Sequence, residues 1–208
     1  ITGANFIKAS MQNYTYNIKE MINRLTPKTK IIFIANPNNP TGTYVNETDI
    51  ITLLNATSPS TMVVLDEAYA EYVDASDYPN GLALIKKYPN LMITRTFSKI
   101  YGLANLRIGY GMAQSNIVQQ IQKVRQPFNV NGLALECANQ ALKNDKFVQK
   151  SIKTNQIGKA YLMAELSQLD CVIPPSQGNF LYIEFNAIDG IKLCQDLLEK
   201  GIIVRSMK

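Results

Sequence analysis

Lys99 is the residue whose surroundings best equip it for chemistry. An apolar run, Leu91 to Ile93, leads through Thr94-Arg95-Thr96-Phe97 into Ser98-Lys99, and Arg107 follows eight positions later. A lysine after a strand end, in a mostly apolar setting, is a candidate amine nucleophile. Burial disfavours the charged ammonium and a nearby cation disfavours it further, which frees the lone pair for Schiff-base chemistry. Thr96, Ser98 and Arg107 offer two short hydroxyl donors and one planar fork of N–H groups, the composition of a phosphate cup. A Ser-Lys pair taken alone reads first as a solvated surface lysine beside a serine, so the elements that position it must decide.

Three apolar, β-branched runs read as buried strands, most naturally parallel. Lys30–Ala35 ends in Asn36-Pro37-Asn38-Asn39-Pro40-Thr41-Gly42, a loop stiffened by two prolines that aims its asparagines. Met62–Leu65 ends in Asp66-Glu67-Ala68-Tyr69, and Leu91–Thr96 delivers Ser98-Lys99. Ligands of open α/β sheets bind outside the carboxyl ends of the strands, so the three polar clusters can meet at one site. Helices are expected at 18–25, from Asn46 to Ala56, at 82–87, from a Ser115 cap to 124, at 133–142 and at 147–166, with a further strand at Ile108–Met112. From Cys171 the order becomes β-β-α-β: Val172-Ile173, Asn179–Phe185, a helix Ile191–Glu199 and a strand Ile202–Arg205. The expected architecture is α/β, a large domain over 1–146 with a largely parallel sheet, then an interdomain helix and part of a small α+β domain over 147–208.

Composition narrows the chemistry. The chain has 208 residues, 46% hydrophobic, enough for a sizeable core, and a net charge of +5 without a basic run of the kind that binds nucleic acid. Three separated cysteines, Cys137, Cys171 and Cys194, fit a reducing cytoplasm, and no apolar segment approaches a membrane span. Histidine is absent. That removes Ser-His-Asp and Cys-His nucleophile systems and every His-ligated metal site within the segment.

Asn39-Pro40-Thr41-Gly42, Asp66-Glu67-Ala68-Tyr69, Thr96-Phe97-Ser98-Lys99 and Arg107 stand in the order and approximate spacing of the pyridoxal 5'-phosphate (PLP)-dependent aminotransferases of fold type I, which the chain resembles from about Lys8 to Arg205. The wording of Tyr101–Tyr110 and of Arg125–Asn131 most resembles the histidinol-phosphate aminotransferases. The resemblance implies that Lys99 binds the cofactor covalently and then shuttles a proton, and that Asp66 pairs with the pyridine nitrogen. It implies that Asn39 and Tyr69 hydrogen-bond the phenolic oxygen, and that Thr96, Ser98 and Arg107 hold the phosphate. Arg205 and Asn39 would contact the substrate, with Asn179 either lining the site or serving as a strand residue. A homodimer with shared active sites, a glutamate/2-oxoglutarate pair and a cytoplasmic location are implied too.

Several family parts are not found: the glycine-rich turn that completes the phosphate cup, the aromatic that stacks on the ring, a tyrosine reaching across from a second subunit, and a second substrate arginine. With Ile1 at the start and an apolar run just before Lys208, a piece of a longer chain is expected, one that alone binds PLP poorly. An aromatic-amino-acid transaminase, a PLP lyase or decarboxylase, and a non-catalytic sensor domain share enough of the pattern to stand as alternatives. No nucleotide-binding glycine string follows any strand.

Overall fold

Asn13 and Tyr14 make the first defined turn in the computed structural model, which describes residues 3–207. Both have positive φ, 49° and 63°, the pair of left-handed positions that a two-residue hairpin loop requires. They join β1 (Met11–Gln12) to β2 (Thr15–Tyr16).

The central sheet has four strands in the order β3 (Ile31–Ala35), β4 (Met62–Asp66), β5 (Leu91–Thr96) and β6 (Gly109–Ala113). β3, β4 and β5 run parallel and β6 returns antiparallel to β5. The three parallel strands are the apolar runs of the sequence. Their alternate residues Ile32, Ile34, Val63, Leu65, Leu91 and Ile93 form one buried face, as a period of two dictates. Helices α1 (Ile18–Asn23), α2 (Glu47–Ala56) and α3 (Gly81–Lys87) complete that core through Ile18, Ile50, Leu53, Leu54 and Leu84. Each begins with an asparagine whose side chain accepts from a backbone N–H of the first turn: Asn17, Asn46 and Asn80. The expected buried strand at Lys30–Ala35 is buried on one face only, because Ile31 and Phe33 stay exposed, Phe33 at 66%. Among the described residues the helices cover only the other face of that strand.

Beyond the sheet come α4 (Ser115–Val124), α5 (Gly132–Ala141), α6 (Asp145–Leu166) and α7 (Gly190–Glu199). Ser115 does not cap α4. Gln114 takes that position without a capping bond, and its side chain instead donates to the Ile85 carbonyl at 2.9 Å. The β-β-α-β expectation is only partly met. β7 (Cys171–Val172) and β8 (Glu184–Phe185) form a two-rung antiparallel ladder, so most of Asn179–Phe185 is not strand. Ile202–Arg205 is irregular and carries no ladder among the described residues, with Ile203 at 85% exposure. A strand needs a partner for its N–H and C=O groups, and β propensity alone does not supply one. No described helix is long and apolar enough to cross a membrane.

Candidate active site

The carboxyl ends of β3, β4 and β5 open into one cleft of about 570 Å3, within the usual range for a small-molecule site. Asn39, Asp66, Tyr69, Thr96, Ser98, Lys99 and Arg107 all line it. Arg205 does not; it is exposed and outside the cleft.

The loop after β3 is rigid because it satisfies its own polar groups. The buried Asn36 amide donates to the Val45 carbonyl at 3.0 Å and accepts from its N–H at 2.7 Å. Asn38 donates to Thr41 Oγ1 at 2.8 Å, and its backbone N–H and C=O close on Thr43 and Gly42 at 2.7 Å. Both Asn-Pro bonds, Asn36–Pro37 and Asn39–Pro40, are cis. Asn39 is left at the rim, where its Nδ2 donates to the Tyr69 hydroxyl at 3.0 Å. The phenol oxygen is the acceptor there, so its own O–H remains a donor for a ligand.

Asp66 is the last residue of β4 and is exposed to the cleft. One carboxylate oxygen accepts the Ala68 N–H at 3.2 Å and helps turn the chain back, so that Tyr69 reaches Asn39. Tyr69 is buried, with the ring of Phe180 edge-on at 5.0 Å. Tyr16 stands close by: burial pushes its phenol up, the Ala35 backbone lowers it, and the Asp66 charge raises it.

Lys99 departs from the apolar setting its sequence suggested. It is exposed, because Phe97 and Ile100 on either side take the buried positions. Its Nζ lies 5.4 Å from the centroid of the Tyr69 ring, a cation–π distance. The Thr96 hydroxyl accepts the Ser98 N–H at 3.0 Å, a local bond that shapes the turn into Lys99. Arg107 sits at left-handed φ 52°, with Nη1 donating to the Ala104 carbonyl at 2.5 Å.

The cleft therefore combines a carboxylate, a primary amine, an amide–phenol pair, two hydroxyls and a guanidinium, with no cluster among the described residues suited to a metal. Residues 2–208 match the family model of the class I and II aminotransferases. The chain belongs to this family. A histidinol-phosphate aminotransferase of Moorella thermoacetica is 42% identical over 207 residues, covering 99% of this chain and 53% of the relative. One from Bacillus velezensis is 47% identical over 193 residues, covering 92% and 53%. The crystal structure of histidinol-phosphate aminotransferase from Sinorhizobium meliloti in complex with pyridoxal-5'-phosphate shares the fold, with a TM-score of 0.87 at 24% identity over 98% of this chain and 56% of that one. The chain spans about half the length of the relatives it matches.

The reading of the sequence missed a buried ion cluster directly behind Asp66. Arg95 Nε and Nη2 both donate to Glu67 Oε2, at 2.9 and 2.7 Å, and Arg95 Nη1 lies 3.9 Å from Glu71 Oε1. Burial pushes both carboxyls up, and the guanidinium opposes it in each. The signal was present in the alternation. Val63 and Leu65 pair with Leu91 and Ile93, so one step further puts Glu67 beside Arg95 on the buried face. Phe180 was also missed, since its contact with Tyr69 spans more than a hundred positions.

Proposed function

We propose that this chain is part of a PLP-dependent transaminase that moves an amino group between glutamate/2-oxoglutarate and histidinol phosphate/imidazole-acetol phosphate in histidine biosynthesis. The observation that carries the reading is the meeting of Asp66, Lys99 and the Asn39–Tyr69 pair in one cleft. The choice of substrate rests on relatives of that name at 42% and 47% identity.

The donor set fits the cofactor. An acid, an amine, a phenol with its O–H free to donate and a guanidinium fork match, one for one, a pyridine nitrogen, an aldehyde, a ring oxygen and a phosphate. When bound, PLP supplies an electron-accepting ring next to the substrate's amino-bearing carbon. Asp66 would face the ring nitrogen, where a carboxylate favours the protonated, cationic form. Lys99 Nζ would hold the cofactor through its aldehyde carbon, and its free amine would serve as the base that takes the proton from the substrate's α-carbon. Tyr69 and Asn39 donate to the ring oxygen. Ser98, Thr96 and Arg107 hold the phosphate, where the planar fork of Arg107 gives two-point geometry. Arg205, outside the cleft, and Asn39 are assigned to the substrate. A homodimer with shared sites, a cytoplasmic location and a division near residue 146 belong to the same proposal.

The test uses the full-length protein loaded with PLP. Borohydride reduction and peptide mapping are expected to place a pyridoxyl label on Lys99, and a label elsewhere overturns the mechanism. Turnover is then compared with histidinol phosphate, phenylalanine and threonine phosphate as substrates. Activity on phenylalanine or decarboxylation of threonine phosphate, with none on histidinol phosphate, replaces the substrate assignment.

A further inference from the structure

We infer that Arg95 is a positioning residue for the active site, acting through Glu67 and Glu71 to hold the segment that carries Asp66 and Tyr69 in register with the segment that carries Ser98 and Lys99. The inference rests on the PLP reading above and extends it to residues that lie outside the proposed cofactor contacts.

The argument begins with connectivity. Asp66 and Tyr69 leave the end of β4 on a turn that runs into the short helical stretch Ala70–Tyr72. Thr96, Ser98 and Lys99 leave the end of β5. The parallel ladder between the two strands stops at Asp66 and Thr94, apart from one further bond from the Glu67 N–H to the Thr94 carbonyl. Beyond that point the backbone no longer fixes one cluster relative to the other. Arg95 does so with its side chain. Its guanidinium grips Glu67, which follows Asp66 directly, and faces Glu71, which lies two residues past Tyr69. One cation thus spans the turn on both sides of the residues that point into the cleft.

The cluster is also built to be stiff. Glu67 is 1% exposed and Arg95, which also lines the cleft, 25%, so the carboxylate end of the bonds is shielded from water, where charge-assisted hydrogen bonds are strong and geometrically demanding. Gly81 closes the far side: a Cβ there would come within 2.7 Å of Glu67 Oε1 and 2.2 Å of Ile93 Cδ1. Glu67 Oε1 and Glu71 Oε1 have no hydrogen-bond partner in this pocket. An ion cluster with two orphaned oxygens is a poor device for stability, because apolar residues of similar volume often do as well or better. A device that fixes geometry can carry that cost. Displacement of a reacting group by about 1 Å, caused from a distance, can lower a rate on the order of 100-fold.

The experiment is run on the full-length protein with three readouts: thermal stability, PLP affinity by visible absorption, and the pH midpoint of the bound cofactor's absorption band. Arg95→Lys keeps the charge and removes the fork. The triple variant Glu67→Met/Arg95→Met/Glu71→Gln removes all three charges and keeps the volume. The expected result is a triple variant that melts close to the wild type, yet binds PLP about tenfold or more weakly with a displaced pH midpoint; Arg95→Lys shifts both in the same direction by less. If the triple variant fails to fold, Arg95→Lys decides, with an unchanged affinity and midpoint counting against the inference. Wild-type affinity and midpoint in a folded triple variant overturn it and leave the PLP reading intact. A wild-type protein that acquires no PLP band removes both.

Discussion

The sheet with its first three helices and the segment from α6 onward are built on different terms. In the first region Ile34, Leu53, Leu65 and Ile93 are fully buried. In the second, neither α6 nor α7 fully buries a single residue, although α6 runs for 22. The cleft belongs to the packed region: seven of the proposed site residues stand on its strand ends and loops. The second region reaches it through Val148 and Ile152 of α6, which pack against the Tyr69, Tyr72 and Ile100 cluster, and through Pro174–Phe180. There the Gln177 N–H donates to the Gly42 carbonyl at 2.8 Å, Lys159 Nζ holds the Ser176 carbonyl at 2.6 Å, and Phe180 meets Tyr69. The difference teaches that the proposed cofactor-binding groups sit on the packed region, whereas the proposed substrate residue Arg205 lies where packing is thin.

The sharpest way to break that division is to remove chemistry without touching packing. Lys99→Ala in the full-length protein is expected to lower turnover by roughly 1,000-fold or more, since proton transfer by a positioned base contributes on the order of 100- to 10,000-fold before loss of the covalent attachment is included. The melting temperature of the cofactor-free protein should not move, because Lys99 is exposed. A large thermal shift would mean that the lysine is structural. Next comes the converse pair. Leu65→Ala, in the fully buried face of β4, should cost about 2–5 kcal/mol in urea unfolding. Ile203→Ala, at 85% exposure, should cost less than about 0.5 kcal/mol. Similar costs for the two would erase the contrast.

A third substitution addresses the junction itself. Gly42 has φ +76°, and a Cβ there would lie 2.2 Å from Ser176 Oγ and 2.9 Å from Ser176 Cα. Gly42→Ala therefore strains its own backbone by about 1–3 kcal/mol and pushes on a neighbour that cannot simply rotate away. Limited proteolysis should cut between Pro174 and Phe180 faster while the sheet resists as before. An unchanged cleavage rate would show that this contact does not hold the two regions together.

What the sequence disclosed follows the same line. The three parallel strands, the Asn46 cap and the polar clusters at strand ends were legible because each is written in adjacent residues: β-branched runs, Asn before a helical pattern, Asn-Pro after a strand. The exposure of Phe33, the antiparallel direction of β6 and the irregular course of Ile202–Arg205 were not, because each depends on what lies opposite in space. Lys99 shows both halves of this. Its place after β5 could be read from the chain, whereas its exposure depends on Phe97 and Ile100 facing inward. Arg95 was readable by extending the β4–β5 alternation one step, but its charge led away from a core assignment.

The smallest expected effect comes from two tyrosine–carboxylate pairs, one within the packed region and one bridging the two regions. Within the packed region, Tyr44 donates to Asp77 Oδ1 at 2.6 Å, and that hydrogen bond, then burial, then the carboxylate charge push the phenol up to about 12. Between the regions, Tyr14 donates to Glu184 Oε2 at 2.9 Å, and the same hydrogen-bond and charge effects raise it as well. A folded-state pKa above the unfolded value of about 10 means that the native protein holds the proton more tightly. The contribution is whole below about pH 10 and disappears as pH rises through about 12 for Tyr44. Urea midpoints at about pH 9 and about pH 11.5 should therefore converge in Tyr44→Phe relative to the parent, since the variant has no such contribution to lose. Tyr14→Phe should leave both midpoints of the sheet unchanged. It should instead remove the alkaline rise in proteolysis near β8, because its carboxylate partner is in the segment that packing holds least. If Tyr14→Phe altered the sheet's midpoint as much as Tyr44→Phe does, the two regions would be unfolding as one unit.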